Sequence, residues 1–171
     1  MKVLKMISFL SSKNINLIIL FILFSLCLVS FQLLPFDTRS QMLDTHFGFT
    51  KDEVILIVNS LGEEGRSAYV NSMFTNDFLF PITYTLLMLG LISKIGFKKD
   101  FFLYLPILAC ISDLLQNIQT ATIMSSNSIS EITNLQILLA SCTNQIKWLL
   151  IIVIVLSIAL GSVKKLIHKI G

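Results

Sequence analysis

The sequence predicts an all-α fold, a four-helix transmembrane bundle with a short extracytoplasmic helical hairpin between helices 1 and 2, and three observations lead there. Apolar residues make up 54% of the chain and charged residues 13%, where an average soluble domain is about a quarter charged. Charges are sparse in four stretches, each long enough to cross a hydrocarbon core of about 30 Å at about 1.5 Å per residue. The lysines flanking those stretches all fall on one side of the plane that four crossings define. The 171 residues then form a single membrane domain.

The spans read as 15–34, 77–95, 101–124 and 132–162. The first contains an apolar run over 17–34 that stops at Pro35. Lys2, Lys5 and Lys13 before it resemble the basic end of a signal peptide. The run exceeds the roughly 7–15 residues of a signal core, and no small-x-small cleavage site follows, so a retained helix is favoured. The fourth span is longer than a crossing needs. Its first half is polar (Ser141, Cys142, Thr143, Asn144, Gln145, Lys147) and residues 148–160 are almost purely aliphatic, so one end suits protein or water and the other lipid.

Orientation follows from the basic residues. Lys2, Lys5 and Lys13 precede the first span; Lys94, Lys98 and Lys99 separate the second from the third; Lys164, Lys165 and Lys169 follow the fourth. The opposite side carries only Arg39, Lys51 and Arg66. The positive-inside rule makes the lysine-rich side cytoplasmic, so the expected location is the cell (plasma or inner) membrane with both termini in the cytoplasm.

Several classes drop out. No Lys/Arg run is dense enough for a nucleic-acid footprint. The expected partner is the lipid bilayer, with another membrane protein or a second copy as further candidates. Cys27, Cys110 and Cys142 stand alone in apolar stretches, and His46 and His168 lie outside the spans. Nothing has zinc-ligand spacing, so no metal or cofactor is expected. The lack of a C-x-x-C pair removes the four-helix redox enzymes that resemble vitamin K epoxide reductase.

The segment 36–76 is the one sizeable extracytoplasmic piece. Thr50-Lys51-Asp52-Glu53 matches a capping box, in which hydroxyl and carboxylate satisfy orphan N–H groups reciprocally. Val54, Ile57, Val58 and Leu61 follow at helical spacing, and Gly62 offers a stop. Tyr69, Val70, Met73 and Phe74 form a second apolar face that runs into the next span. The expectation is a helical hairpin on the outer surface, packed as a lid over the bundle. Lys51 and Arg66 are too few to make the cationic face of an anionic-lipid binder.

Leu61-Gly62-Glu63-Glu64-Gly65-Arg66-Ser67-Ala68-Tyr69, then Asp77-Phe78-Leu79-Phe80-Pro81 and Tyr84, carry a resemblance. So does Asp113-Leu114-Leu115-Gln116-Asn117, a variant of Asp-x-x-Glu-Asn with Gln in place of Glu. Together these resemble a set of small, uncharacterised four-pass membrane proteins, a resemblance that covers roughly a fifth of the chain and implies the four-pass architecture without an activity. The chain does not resemble the four-helix sterol isomerases, whose intramembrane His and Glu it lacks.

Polar residues at membrane depth are the candidate site. Asp113 lies about 18 Å from the cytoplasmic end of the third span, Lys147 about 22 Å along the fourth and Asp77 about 24 Å along the second, at about 1.5 Å per residue. Asn117, with Gln116 and Thr120, shares a face with Asp113; Asn144 precedes Lys147 by a turn; Tyr84 lies below Asp77. Pro81 cannot donate to the carbonyl of Asp77 and leaves that acceptor free. Each mid-bilayer charge costs about 2.5–3.5 kcal/mol on insertion scales, so Asp113 and Lys147 are expected to pair. The candidate polar cluster is therefore Asp77, Tyr84, Asp113, Asn117, Asn144 and Lys147, with Arg66 reaching in from the hairpin.

No nucleophile motif, glycine-rich phosphate loop or paired haem histidine is present, so the reading leans away from an enzyme. The sequence favours a non-enzymatic accessory, protective or scaffold protein. The alternative is a membrane pocket protein that binds or modifies a small amphiphile or lipid through the Asp/Asn/Lys cluster, with Asp113 or Asp77 as base and Lys147 or Arg66 holding an anionic head group. A carrier using the same carboxylates would need oligomerisation, since four helices make a narrow path. The topology is open to cysteine labelling. A cysteine at Ser60 should react with an impermeant maleimide on intact cells, and one at Lys98 only after permeabilisation; the reverse pattern would overturn the orientation.

Overall fold

The computed structural model describes residues 2–97 and 100–170, and among them the chain is helical with no strand. The helices are α1 (Lys2–Ser11), α2 (Asn14–Phe31), α3 (Thr38–Gln41), α4 (Lys51–Phe74), α5 (Asn76–Ile95), α6 (Phe101–Met124) and α7 (Asn134–Ile170). Single 3-10 turns occupy Leu43–Thr45 and Ile129–Glu131. Four helical stretches are long and apolar enough to cross a membrane: α2, the run through α4 into α5, α6 and α7. Lys98 and Lys99, counted above among the flanking lysines, lie outside the described residues.

The N-terminal flank, read from sequence only as a basic leader, is itself a helix. In α1, Ser8 and Ser11 are buried against α5, and the Ser8 hydroxyl donates to the Leu89 carbonyl at 3.2 Å. A Cβ at Gly90 would come within 2.6 Å of the Ser11 carbonyl oxygen, so glycine is what allows the two backbones to meet there. Val3, Met6 and Phe9 point outward and are exposed. The first apolar helix closes at Phe31, and residues 32–34 form turns ahead of Pro35.

α4 opens on its capping box. The Glu53 N–H donates to Thr50 Oγ1 at 3.4 Å and the Thr50 N–H donates to Glu53 Oε2 at 2.7 Å. Hydrogen bonds from the Thr50 backbone and side chain hold the Glu53 carboxyl below the usual range, because they favour the charged form. Gly62 does not stop the helix outright. Its backbone, at φ 61° and ψ −169°, breaks α4 into two segments. Val54, Ile57, Val58 and Leu61 are buried from the first segment, and Tyr69 and Met73 from the second. Phe74, expected on the second buried face, is exposed.

α5 follows after Thr75 and closes at Gly96, whose left-handed backbone (φ 81°) directs its N–H to Ile92 O. α7 opens on a second capping box, in which the Gln136 N–H donates to Thr133 Oγ1 at 3.2 Å and the Thr133 N–H to Gln136 Oε1 at 2.8 Å. Its polar half buries Ser141, Asn144 and Lys147, whereas Ile152, Val153, Val155, Leu156 and Leu160 beyond them are exposed.

Two apolar cores result. One joins Met42, Leu43, Val54, Tyr69, Met124 and Ile137 at the end of the bundle where the loop before α4 returns. The other joins Tyr84, Ile92, Leu105, Ala109 and Ile154 within the bundle. At the far end Lys5 pairs with Asp100 at 2.7 Å, Lys94 reaches Asn14, and Lys165 donates to the Lys94 carbonyl at 2.5 Å.

At Gly62 a side chain would meet no steric neighbour, so the demand for glycine is conformational alone. This backbone region is essentially restricted to glycine and costs other residues about 1–3 kcal/mol. Gly62→Ala should destabilise by about that amount in thermal or denaturant unfolding in detergent. Unchanged stability would mean that residue 62 adopts regular helix.

Candidate functional site

α6 carries a buried polar stripe at helical spacing: Asp113, Gln116, Asn117 and Thr120. Facing it, Lys147 of α7 places Nζ 3.2 Å from Asp113 Oδ1, with both side chains at or below 5% exposure. The Tyr84 hydroxyl from α5 donates to Asp113 Oδ2 at 3.1 Å. Lys147 also donates to Gln116 Oε1 at 3.4 Å, and Gln116 Nε2 donates to Thr120 Oγ1 at 2.7 Å. One ion pair and its hydrogen bonds thus join three helices. Low dielectric makes such a network strong when complete and costly when one member is missing.

Asp77 lies in the first turn of α5, where the helix dipole favours a negative charge. The carbonyl that Pro81 leaves free is taken up by Asn117, whose Nδ2 donates to Asp77 O at 2.9 Å. Asn117 therefore repairs the proline defect and ties α6 to α5. The Asp77 carboxylate is 1% exposed, and its Oδ2 has no hydrogen-bond partner among the described residues. It interacts electrostatically with Asp44, Asp113 and Lys147.

These groups meet at a cavity of about 420 Å³. Asp77 and Phe80 of α5 line it beside Asp113 of α6. Lys147, Trp148 and Ile151 of α7 form a second wall, and Leu28 and Phe31 of α2, with Gln32 just after it, a third. The exposed residues of the lining are Leu28 and Gln32 on the α2 side and Thr45 in the loop before α4. The cavity's size falls in the roughly 300–1,000 Å³ range of small-molecule sites.

The roof is the loop carrying Thr38, Met42 and Asp44. The expectation placed a lid made by the segment 36–76; of that segment the described lining contains Thr38, Met42, Asp44 and Thr45 and no residue of α4. α4 instead supports the roof from behind. The Tyr69 hydroxyl accepts from the Leu43 N–H at 2.7 Å and donates to Asp44 Oδ1 at 3.3 Å. Burial, reinforced by the Asp44 charge, holds that phenol well above the usual tyrosine range, so it stays a donor. α7 pins the same loop on one face. Trp148 Nε1 donates to Asp44 O at 3.0 Å, Asn144 Nδ2 to His46 O at 2.5 Å, and Ser141 Oγ accepts from the Phe49 N–H at 2.9 Å.

Of the sequence-predicted residues, Asp77, Tyr84, Asp113, Asn117 and Lys147 come together. Asn144 lies beside them but commits its amide nitrogen to the roof. Arg66 is elsewhere: Nε donates to Met124 O at 2.8 Å and Nη2 to Ser126 O. It caps the C-terminus of α6, where a cation suits the helix dipole. Asp44 was missed, because nothing local to its loop marks it. Trp148, next to Lys147 in sequence, both lines the cavity and holds the roof through its indole. Among the described residues no group of His, Cys, Asp or Glu side chains could hold a metal ion.

The pair can be tested by a mutant cycle. Asp113→Asn or Lys147→Met alone strands a buried charge and should cost about 3–5 kcal/mol, while the double variant should recover much of that loss. Additive effects in detergent unfolding would show that the two groups are not coupled.

Comparison with protein families, with curated proteins and with solved structures finds no match to this chain.

Proposed function

We propose that this chain is a four-pass protein of the cell (plasma or inner) membrane, with both termini cytoplasmic, whose bundle holds a small amphiphile. The single observation that carries the reading is the 420 Å³ cavity in which Asp77, Asp113 and Lys147 meet apolar and aromatic walls. A polar cluster that served register alone would close on itself. This one borders open space and leaves a buried carboxylate oxygen without a partner. Buried polar groups are normally satisfied by protein or by what binds there, and intramembrane ionisable residues are functional candidates by default. The cavity therefore favours the pocket reading over a purely structural scaffold.

The orientation is supported by the gathering of Lys5, Lys94 and Lys165 at the end of the bundle away from the roof. The two segments of α4, broken at Gly62, are then the outer helical hairpin. An amphiphile suits the walls: Leu28 and Phe31 face a tail while the carboxylates and Lys147 face a head group. The bilayer itself is the source from which such a ligand would enter.

Native mass spectrometry of protein purified from its own membranes should find a bound small amphiphile near one-to-one stoichiometry. Leu28→Trp, a substitution at an exposed position on the wall, should abolish that adduct without lowering the unfolding temperature. Adduct-free wild-type protein, or an adduct indifferent to Leu28→Trp, would overturn the proposal.

A further inference from the structure

Among the described residues the charges around the cavity do not balance, and the imbalance has a sign. Three carboxylates, Asp44, Asp77 and Asp113, line it against one ammonium, Lys147, among the described residues. Lys147 is already engaged by Asp113 at 3.2 Å and by Gln116. Asp44 receives the Tyr69 hydroxyl at 3.3 Å. Asp77 receives nothing on Oδ2, although it is 1% exposed. Arg66, which the sequence offered as a second cation, is turned to the end of α6.

We propose that the ligand's head group is a cationic nitrogen, a protonated or quaternary amine on an apolar tail, with Asp77 as its counter-ion. This rests on the pocket reading above. A cation beside Asp77 supplies the charge that the described lining lacks, and a carboxylate facing an ion of opposite sign in a low-dielectric site is strongly stabilised. The aromatic lining fits the same ligand. Phe31, Phe80 and Trp148 all border the cavity, and Phe31 and Phe80 stand edge to face at 5.7 Å between ring centroids. Aromatic faces attract alkylammonium groups through the ring quadrupole.

An anionic head group has no comparable place. It would meet Asp44 and Asp77 without a free cation among the described lining residues, and would have to take Lys147 from Asp113. That replaces the sequence-based expectation of an anionic head held by Lys147 or Arg66.

Trp148 is the only tryptophan of the chain and lies on the cavity wall, so its emission reports occupancy directly. The full-length protein in maltoside micelles is titrated with three probes: dodecyltrimethylammonium, its uncharged isostere with carbon in place of nitrogen, and dodecyl phosphate. The cation should bind about tenfold or more tightly than the isostere, as one charge-assisted contact implies, and the phosphate most weakly. Asp77→Asn should remove the preference for the cation, and Asp44→Asn should reduce it. Equal binding of cation and isostere, tightest binding of the phosphate, or a preference unchanged in both variants would overturn the cationic assignment and leave the pocket standing. No Trp148 response to any probe would overturn the pocket as well. If Asp77→Asn fails to fold, the wild-type comparison and Asp44→Asn decide the matter.

Discussion

The buried pair of Asp113 and Lys147 is the constraint on which the rest of the arrangement depends. Two charges between apolar helices are affordable only together, because each alone costs about 2.5–3.5 kcal/mol at the bilayer centre. With Nζ and Oδ1 3.2 Å apart, α6 and α7 have one rotational setting that satisfies both. That setting turns Gln116, Asn117 and Thr120 inward as well, since they share the stripe. It also turns the aliphatic half of α7 outward, where Ile152, Val153 and Leu156 are exposed. A helix pair held only by aliphatic packing would have many settings of similar energy, because lipid tails solvate such faces as well as protein does.

From that setting the other contacts follow as consequences of geometry. Asn117, turned inward, lies opposite the carbonyl that Pro81 deprives of its helical donor, and the amide fills the vacancy. Tyr84, two turns beyond Asp77 on α5, meets the second oxygen of Asp113. Ser141, Asn144 and Trp148 on α7 bind three successive places on the loop before α4. The roof is thus positioned by side-chain bonds to its backbone, and Tyr69 secures it from the other side. Loops hold their shape when their backbone groups are bonded, and this one is bonded from two helices.

The same economy explains why the cavity stays polar on one side. Hydrogen-bond donors near the carboxylates are committed: Tyr84 and Lys147 to Asp113, Asn117 to a carbonyl, Asn144 to the roof. Asp77, which lines the same cavity as Phe31, Phe80 and Trp148, is left with a buried oxygen that has no partner among the described residues. A structural polar cluster would be expected to close such a gap, since an unsatisfied buried acceptor costs about 1–3 kcal/mol. Its persistence in a residue that lines the cavity is what the pocket proposal accounts for.

Sequence alone determined the helical class, the four apolar stretches and the polar residues set within them, because these depend on local properties. Apolar run length sets the stretches; Thr50 and Glu53 set the start of α4; the rarity of charge at depth marks Asp77, Asp113 and Lys147. Even the free carbonyl of Asp77 was legible, since it follows from Pro81 four residues on. What fills it was not, because Asn117 belongs to another helix. The helix in residues 2–11 was missed although Val3, Met6 and Phe9 recur near helical spacing, because the lysines there read as a flank. Its burial depends on Gly90, about eighty residues away. Only tertiary structure decided that Arg66 caps α6, that Asp44 and Asp77 border one cavity, and that 38–45 is the part of the segment 36–76 that lines it. Each is a contact between segments distant in sequence, and no local periodicity records which of several polar groups will meet.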